Sequence, residues 1–289
     1  MLKWLTTILM LPLWSASTFS APTMGQHYPL DSAQSMITII IDDLGINRAM
    51  SQRALSLSGD LTYAILPHSP HGRELAQLAH EQNKEVILHL PMEPIDQRPV
   101  DKGALTAQQT QQEFLHTLRD DLQRIPHIQG VNNHMGSLLT QNPKKMQWLM
   151  QELAQHQQLY FIDSRTTPKS VGYRQAMKQG LPSLRRNIFL DNDNDIAAIN
   201  RQFIKLLNIA RRYGSAVAIG HPYPETLTYL ENMLPALPLL GIKLLPASQL
   251  IEHKTRMAHA QPASPLQTAE LLDNVEPEDS SLPTPNLVP

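Results

Sequence analysis

Short apolar runs recur along the middle of the chain and alternate with segments of helical periodicity. Eight short runs, most of them rich in aliphatic and β-branched residues, predict buried strands, at Met36–Ile41, Thr62–Leu66, Val86–Leu90, Gly130–Asn133, Leu159–Ile162, Leu184–Leu190, Ala216–Gly220 and Ile242–Leu245. The clearest helical patterns between them are Arg73–Gln82, Thr106–Arg124, Pro143–Gln157 and Asp195–Tyr213. Such alternation is typical of an α/β fold with a parallel sheet covered by helices. The number of repeats favours a closed or nearly closed barrel.

The two ends of the chain do not share this alternation. Residues 1–20 have an early lysine, an apolar run from Trp4 to Trp14 and then small residues, which predicts a secretory signal peptide. An uncleaved anchor is the alternative, although the run is short for a membrane span. Residues 261–289 are rich in proline and predict a disordered tail, or alternatively a proline-motif ligand. We therefore expect one folded domain, residues 36–253, periplasmic or secreted, without a stable membrane span after signal cleavage.

Composition narrows the possible functions. The 24 Lys and Arg residues against 26 Asp and Glu give a net charge of −2, so no nucleic-acid partner is expected. The absence of cysteine excludes disulfides, cysteine nucleophiles, thiolate zinc sites and iron–sulfur clusters. No glycine-rich nucleotide-binding motif follows any predicted strand.

Polar residues cluster where the predicted strands end, which is the edge at which parallel α/β folds bind ligands. Five of them are Asp42, Asp43, His89, His134 and His221. Each alone has a structural explanation, as a turn or cap residue or as a hydrogen-bonded histidine. Together they fit a catalytic metal site, because two imidazoles and a carboxylate are typical ligands of catalytic zinc. A second carboxylate and a further histidine would serve as base and acid. We therefore expect a divalent metal cofactor, and zinc is the metal that this ligand set favours.

Five motifs in a fixed order carry a family resemblance. They are Ile41-Asp42-Asp43, His89-Leu90-Pro91-Met92-Glu93, Asn132-Asn133-His134-Met135-Gly136-Ser137, Phe161-Ile162-Asp163-Ser164 and Ala218-Ile219-Gly220-His221-Pro222. Together they resemble the divergent polysaccharide deacetylase family, which is related to the NodB-type carbohydrate deacetylases. The resemblance implies a distorted (β/α) barrel with about seven parallel strands. It also implies an enzyme that removes N-acetyl groups from a carbohydrate of the cell envelope.

The same resemblance implies individual roles. Asp42 matches the catalytic base, and Asp43 and His89 match metal ligands. His221 matches the general acid, and Asp163 falls near the motif whose aspartate orients that acid.

The sequence departs from the family pattern at the second metal motif. Glu93 occupies the position of a second histidine, so we expect His134 to be the replacement ligand. Glu93 is left as an alternative ligand, a substrate-binding residue or a cap. Asn132 and Asn133 replace an arginine motif, and could contact an oxyanion or substrate, orient ligands or form a turn.

These departures keep two other functions open. One is a non-catalytic carbohydrate-binding or envelope-organising protein that retains the fold. The other is a metal hydrolase that acts on an ester or a phosphate.

Overall fold

The computed structural model describes residues 34–260 apart from residues 97 and 157, so the expected signal peptide and tail lie outside the described residues. This part contains nine strands and eight α-helices, which alternate except that β7 directly follows β6. The strands are β1 (Ser35–Leu44), β2 (Thr62–Ile65), β3 (Glu85–Met92), β4 (Ile128–Met135), β5 (Tyr160–Asp163), β6 (Ser183–Arg185), β7 (Ile188–Phe189), β8 (Ser215–Gly220) and β9 (Ile242–Leu244). The helices are α1 (Arg48–Leu55), α2 (Gly72–Glu81), α3 (Gln111–Arg124), α4 (Pro143–Leu153), α5 (Gly172–Lys178), α6 (Ile196–Tyr213), α7 (Pro224–Met233) and α8 (Ala247–Ala260). None of the helices in these residues is long and apolar enough to cross a membrane.

All the strands pair in parallel, in the order β6-β5-β4-β3-β2-β1-β8-β7, and β9 also pairs with β1. This confirms the predicted α/β fold with a distorted, incompletely closed barrel. The single strand expected over Leu184–Leu190 is wrong, because it is two strands at opposite ends of the sheet. Arg186 donates its backbone N–H to Asp163 of β5, whereas Asn187 donates to Val217 of β8. Consecutive residues that bond to different strands cannot belong to one continuous strand. The described sheet has nine strands, rather than the about seven that the family resemblance implies.

The helix boundaries follow capping side chains more closely than apolar spacing. The helix expected from Thr106 begins only at Gln111, because Thr110 caps it in a capping box with Glu113. Helix α4 begins at Pro143 as expected, but ends at Leu153. The start and end of α6 agree with the prediction within one residue.

Alternate residues of the central strands pack into two different cores. Ile39 and Ile41 of β1 belong to the core beneath the covering helices, whereas Ile40 belongs to a second core with Ile87 of β3 and Leu250 of α8. Side chains two residues further along a strand remain on the same face. The second core therefore leads from α8 towards the ends of β1 and β3.

Helix α8 closes the second core at the end where the strands begin. The backbone N–H of Ala247 donates to Thr62 and Glu85, the first residues of β2 and β3. The end at which the strands finish is left for the polar residues that follow them.

Candidate metal and catalytic site

A bulge at the end of β1 brings two consecutive carboxylates to one place. The register between β1 and β2 shifts between Ile41 and Leu44, and Asp43 has a left-handed backbone φ of 58°. In a regular strand, neighbouring side chains point to opposite faces, whereas a bulge redirects one of them. Asp42 Oδ2 and Asp43 Oδ1 accordingly lie 3.6 Å and 3.2 Å from the same atom, Nε2 of His89.

Three side chains from three strands converge beside this bulge. His89 Nε2 lies 3.0 Å from His134 Nδ1 and 3.2 Å from Asp43 Oδ1. His134 Nδ1 lies 3.1 Å from the same Asp43 oxygen. Strands β3 and β4 are paired neighbours, with Pro91 opposite His134. The structure thus brings together the three side chains that were expected to be metal ligands, although they are far apart along the chain.

The donor atoms of this cluster suit a divalent cation. His89 Nδ1 lies 2.8 Å from the accepting oxygen of Asn132, which leaves its Nε2 lone pair for the cluster. Asp101 Oδ2 lies 3.0 Å from His134 Nε2, so a neutral His134 directs its Nδ1 lone pair to the cluster. Asp43 Oδ1 is buried and receives no well-aligned hydrogen bond from any described residue. Lone pairs at this distance repel one another unless a cation lies between them. The ligand atoms of a tetrahedral zinc site are about 3.3 Å apart, which is close to the separations in this cluster.

The local charges keep Asp43 ionised. Burial alone would raise the pKa of Asp43, but the His134 and His89 side chains hold it well below its ordinary value of 3.8. Burial also opposes the charge on His134, whereas Asp101 and Asp43 raise the pKa of His134 to about 9. Metal binding through Nδ1 at neutral pH would therefore displace a proton from His134. An ionised carboxylate at neutral pH is the form that binds a metal ion.

Asn132 links the expected base to an expected ligand. Its Nδ2 donates to Asp42 Oδ1 at 2.8 Å, while its Oδ1 faces His89 Nδ1 at 2.8 Å. Burial raises the pKa of Asp42, against the attraction of His89 and His221. A buried carboxyl with a raised pKa is a better proton acceptor than an exposed aspartate. Asn132 therefore orients both groups, whereas its expected contact with substrate stays a prediction.

The aspartate that orients His221 is Asp191, so the expectation for Asp163 in this role is wrong. Asp191 Oδ1 lies 3.0 Å from His221 Nδ1, and Asp191 Oδ2 accepts from the His221 backbone N–H at 2.6 Å. Thr226 donates its hydroxyl to the same Oδ2 at 2.8 Å. Burial opposes the charged imidazole, but Asp191 raises the pKa of His221 to about 9. The other ring nitrogen, Nε2, lies 3.8 Å from Asp43 Oδ2.

Strand order explains why Asp163 has a different role. It ends β5, which lies between β4 and β6, whereas Asp191 follows β7, the neighbour of the strand that ends before His221. Asp163 Oδ2 accepts from the Ser170 hydroxyl at 2.7 Å and from the Tyr173 backbone N–H at 3.0 Å. Asp163 therefore holds the loop after β5.

Glu93 and Asn133 lie outside the ligand cluster. Glu93 Oε2 accepts from the backbone N–H of Ala107 at 2.6 Å. Asn133 Oδ1 accepts from the backbone N–H of Ser164 at 2.9 Å. Among the described residues, the third member of the cluster is therefore His134 rather than Glu93. Substrate binding by either residue stays a prediction.

Three residues near the site were not identified from the sequence. Asp191 directly follows the expected strand Leu184–Leu190, and the strand-end rule could have found it. Asp101 lies in an irregular loop, where no local pattern distinguishes it. Arg186 occupies the break between β6 and β7, and burial lowers its pKa to about 10 even though Asp163 and Asp42 attract its charge.

Comparisons with known proteins agree with the motifs. The profile of the divergent polysaccharide deacetylase family matches residues 39–251. Over 215 residues the chain is 38% identical to YibQ, an uncharacterized protein of Escherichia coli, covering 74% of this chain and 67% of YibQ.

Two solved structures share the fold. An uncharacterized protein from Agrobacterium tumefaciens has a TM-score of 0.72 and 22% identity, covering 75% of this chain and 89% of that one. A variant of the peptidoglycan deacetylase PdaC from Bacillus subtilis has a TM-score of 0.50 and 14% identity, covering 78% of this chain and 95% of PdaC. Since the family profile spans nearly the whole described domain, the chain belongs to the divergent polysaccharide deacetylase family.

Proposed function

We propose that this protein is a metal-dependent hydrolase that removes N-acetyl groups from a carbohydrate of the cell envelope. The observation that carries the proposal is the convergence of Asp43, His89 and His134, with Asp42 and His221 next to them. Family membership supports a carbohydrate substrate and a deacetylation reaction. The pattern of residues 1–20 supports a periplasmic or secreted location.

Asp43, His89 and His134 would hold the cation. Two imidazoles and one carboxylate are a ligand set of catalytic zinc sites, in which a fourth position is left for water or substrate. When bound, zinc supplies a water molecule of lowered pKa and polarises the acetyl carbonyl.

Asp42 accepts a proton from the attacking water as the water oxygen forms its bond to the acetyl carbon. The carboxyl group is held through Oδ1 by Asn132, and Oδ2 lies on the side of the ligand cluster. Burial raises the pKa of Asp42, which brings its basicity closer to that needed near neutral pH.

His221 donates a proton to the departing nitrogen as the C–N bond breaks. The products are acetate and the free amino sugar. Asp191 holds Nδ1, which leaves Nε2 as the donor, and a pKa of about 9 keeps the ring protonated at neutral pH. The ring packs against Phe189 and Tyr223, whose centroids lie 5.2 Å and 5.3 Å from that of His221.

The mouth of the site supports a sugar ligand. Tyr223 is 37% exposed beside His221, and an exposed aromatic ring can pack against the apolar face of a sugar. A neighbouring cavity of about 240 Å³ is lined in part by Ile46, Pro91 and Asp101. An apolar wall with a few polar groups is the usual composition of a small-ligand site.

Acetate release from chitooligosaccharides and peptidoglycan fragments, measured with the zinc-loaded full chain, tests the proposal. Asp42→Asn should lower kcat by about 10²-fold or more while the zinc content stays unchanged. His134→Ala should lose zinc in elemental analysis. His116→Ala is a matched control, because this exposed histidine of α3 is not part of the cluster.

The other functions predict different results. Stable zinc binding without acetate release from either substrate would support a non-catalytic carbohydrate-binding protein and overturn the hydrolase proposal. Hydrolysis confined to a panel of esters or phosphates would identify a different metal hydrolase. Normal turnover by Asp42→Asn would show that another group is the base.

A further inference from the structure

The loop between β3 and α3 supplies a carboxylate to the far side of the ligand cluster. Asp101 Oδ2 lies 3.0 Å from His134 Nε2, whereas His134 Nδ1 faces Asp43 and His89. The bonding directions of the two ring nitrogens diverge, so Asp101, which lies at Nε2, cannot share a single cation with Nδ1 of the same ring. Asp101 is therefore placed to orient the His134 side chain rather than to bind the metal itself.

Glu93 holds this loop where it returns to the sheet. The backbone N–H of Leu105 donates to Pro91, and the N–H of Glu93 donates to Leu105, at 2.9 Å and 3.0 Å. The Glu93 carboxylate accepts from the Ala107 N–H at 2.6 Å. These bonds bind the returning end of the loop to the end of β3, the strand that carries His89.

Close packing fixes the tip of the loop. Ala104 donates its N–H to the Asp101 carbonyl, and Gly103 has a φ of 82°. A Cβ at Gly103 would lie 2.6 Å from both the His68 ring and Asp121 Oδ1, so only glycine fits here without displacement. The loop therefore packs directly on the partly buried His68 and the buried Asp121, and Asp101 is presented from a defined backbone.

The two imidazoles of the cluster have different partners. His89 is oriented by the neutral amide of Asn132, whereas His134 is oriented by a carboxylate. A carboxylate that accepts from Nε2–H fixes the tautomer in which Nδ1 is the ligand atom and makes that nitrogen a stronger donor. Loss of such a partner weakens metal binding by about 10–100-fold in known sites.

We propose that Asp101 is a positioning residue that fixes the ring and tautomer of His134 for metal binding through Nδ1, so that the loop between β3 and α3 becomes part of the metal site. The proposal rests on the proposed metal-binding role of Asp43, His89 and His134. The proposal also assigns a structural role to Glu93, because Glu93 anchors the loop and is not a member of the ligand cluster.

Metal affinity of the full chain, measured by competition with a chromophoric chelator, tests this inference. Asp101→Ala should weaken zinc and cobalt(II) binding by about 10–100-fold. Asp101→Asn should lose less, since its amide oxygen still accepts from Nε2–H but carries no charge. Asp96→Ala is the matched control, because Asp96 is a similarly exposed acid of the same loop that pairs with Arg98.

A cobalt(II) absorption spectrum and a metal-free melting curve separate positioning from general stability. Asp101→Ala should shift the visible cobalt bands and leave the metal-free melting temperature near that of the wild type, because Asp101 is 53% exposed. Unchanged affinity and spectrum in Asp101→Ala, with binding lost in His134→Ala, would overturn this inference and leave the proposed function intact. A wild-type chain that binds neither ion would overturn both.

Discussion

Asn132 is the most informative single residue of the site, because it is fully buried and touches both the expected base and an expected ligand. Asn132→Ala removes the partners of Asp42 Oδ1 and His89 Nδ1 at once. Both groups remain buried, so water cannot readily replace the lost amide. We expect the variant to lose stability and metal affinity together.

The magnitude follows from the two hydrogen bonds. A bond to a charged group contributes about 1.5–3 kcal/mol and a neutral bond about 0.5–1.5 kcal/mol, so the variant should lose about 2–4.5 kcal/mol. For a domain of this size, 1 kcal/mol corresponds to about 2–4 °C in Tm. The expected decrease in Tm is therefore on the order of 10 °C. Zinc affinity should fall about 10-fold or more, because His89 loses its orienting partner.

Asn133→Ala is a matched control for this experiment. Asn133 is the next residue, is equally buried and also makes two hydrogen bonds, but these hold backbone groups of Ser164 and Met135. Thermal unfolding in the presence of a chelator measures stability without any contribution from metal. Chelator competition then measures zinc affinity in both variants.

The two variants should differ in metal binding rather than in folding. Asn133→Ala should lose about 1–3 kcal/mol of stability and keep the zinc affinity of the wild type. Equal losses of zinc affinity in both variants would refute the orienting role of Asn132. A loss of stability below about 0.5 kcal/mol in Asn132→Ala would show that its hydrogen bonds matter little.

Two further predictions concern titrating groups. Asp191→Asn removes the main charge that raises the pKa of His221 to about 9, so that pKa should fall, because Asp43 and Asp42 are then left to oppose the effect of burial; an NMR titration of the imidazole that still centres near 9 would contradict this. Asp121, which contacts His68 at 2.9 Å, has a pKa raised by burial from 3.8 to about 8, so the folded state keeps a proton that the unfolded state releases. Stability should therefore fall as pH rises from about 4 to about 8. Asp121→Asn should match the wild type near pH 4 and exceed it by on the order of a few kcal/mol at pH 8 in urea unfolding, and equal stabilities at pH 8 would disprove the raised pKa.

The fold could be predicted because its pattern is local. Continuous apolar runs such as Met36–Ile41 are too short for a typical helix and therefore favour buried strands. Amphipathic segments such as Asp195–Tyr213 end at clear stop signals. The prediction failed at Leu184–Leu190 because the residues of a segment do not reveal which neighbouring strand each of them will hydrogen-bond to. Only the assembled sheet separates Arg186, which bonds to β5, from Asn187, which bonds to β8.

Much of the candidate site was also accessible from the sequence, because parallel strands deliver their final residues to one edge. That rule, with the family motifs, selected Asp42, Asp43, His89, His134 and His221, and the structure brings these five together. It could not decide which aspartate serves His221, since Asp163 and Asp191 each directly follow a strand expected from the sequence, Leu159–Ile162 and Leu184–Leu190.

The sequence by itself determined the alternation of strands and helices, the family and the set of side chains at the strand ends, because each depends on residues close together in the chain. Tertiary structure alone decided their partnerships. The pairing of β7 with β8 sets Asp191 beside His221, and the fold of the loop after β3 brings Asp101 to His134. Contacts of this kind depend on strand order and loop path, which neither apolar periodicity nor motif spacing encodes.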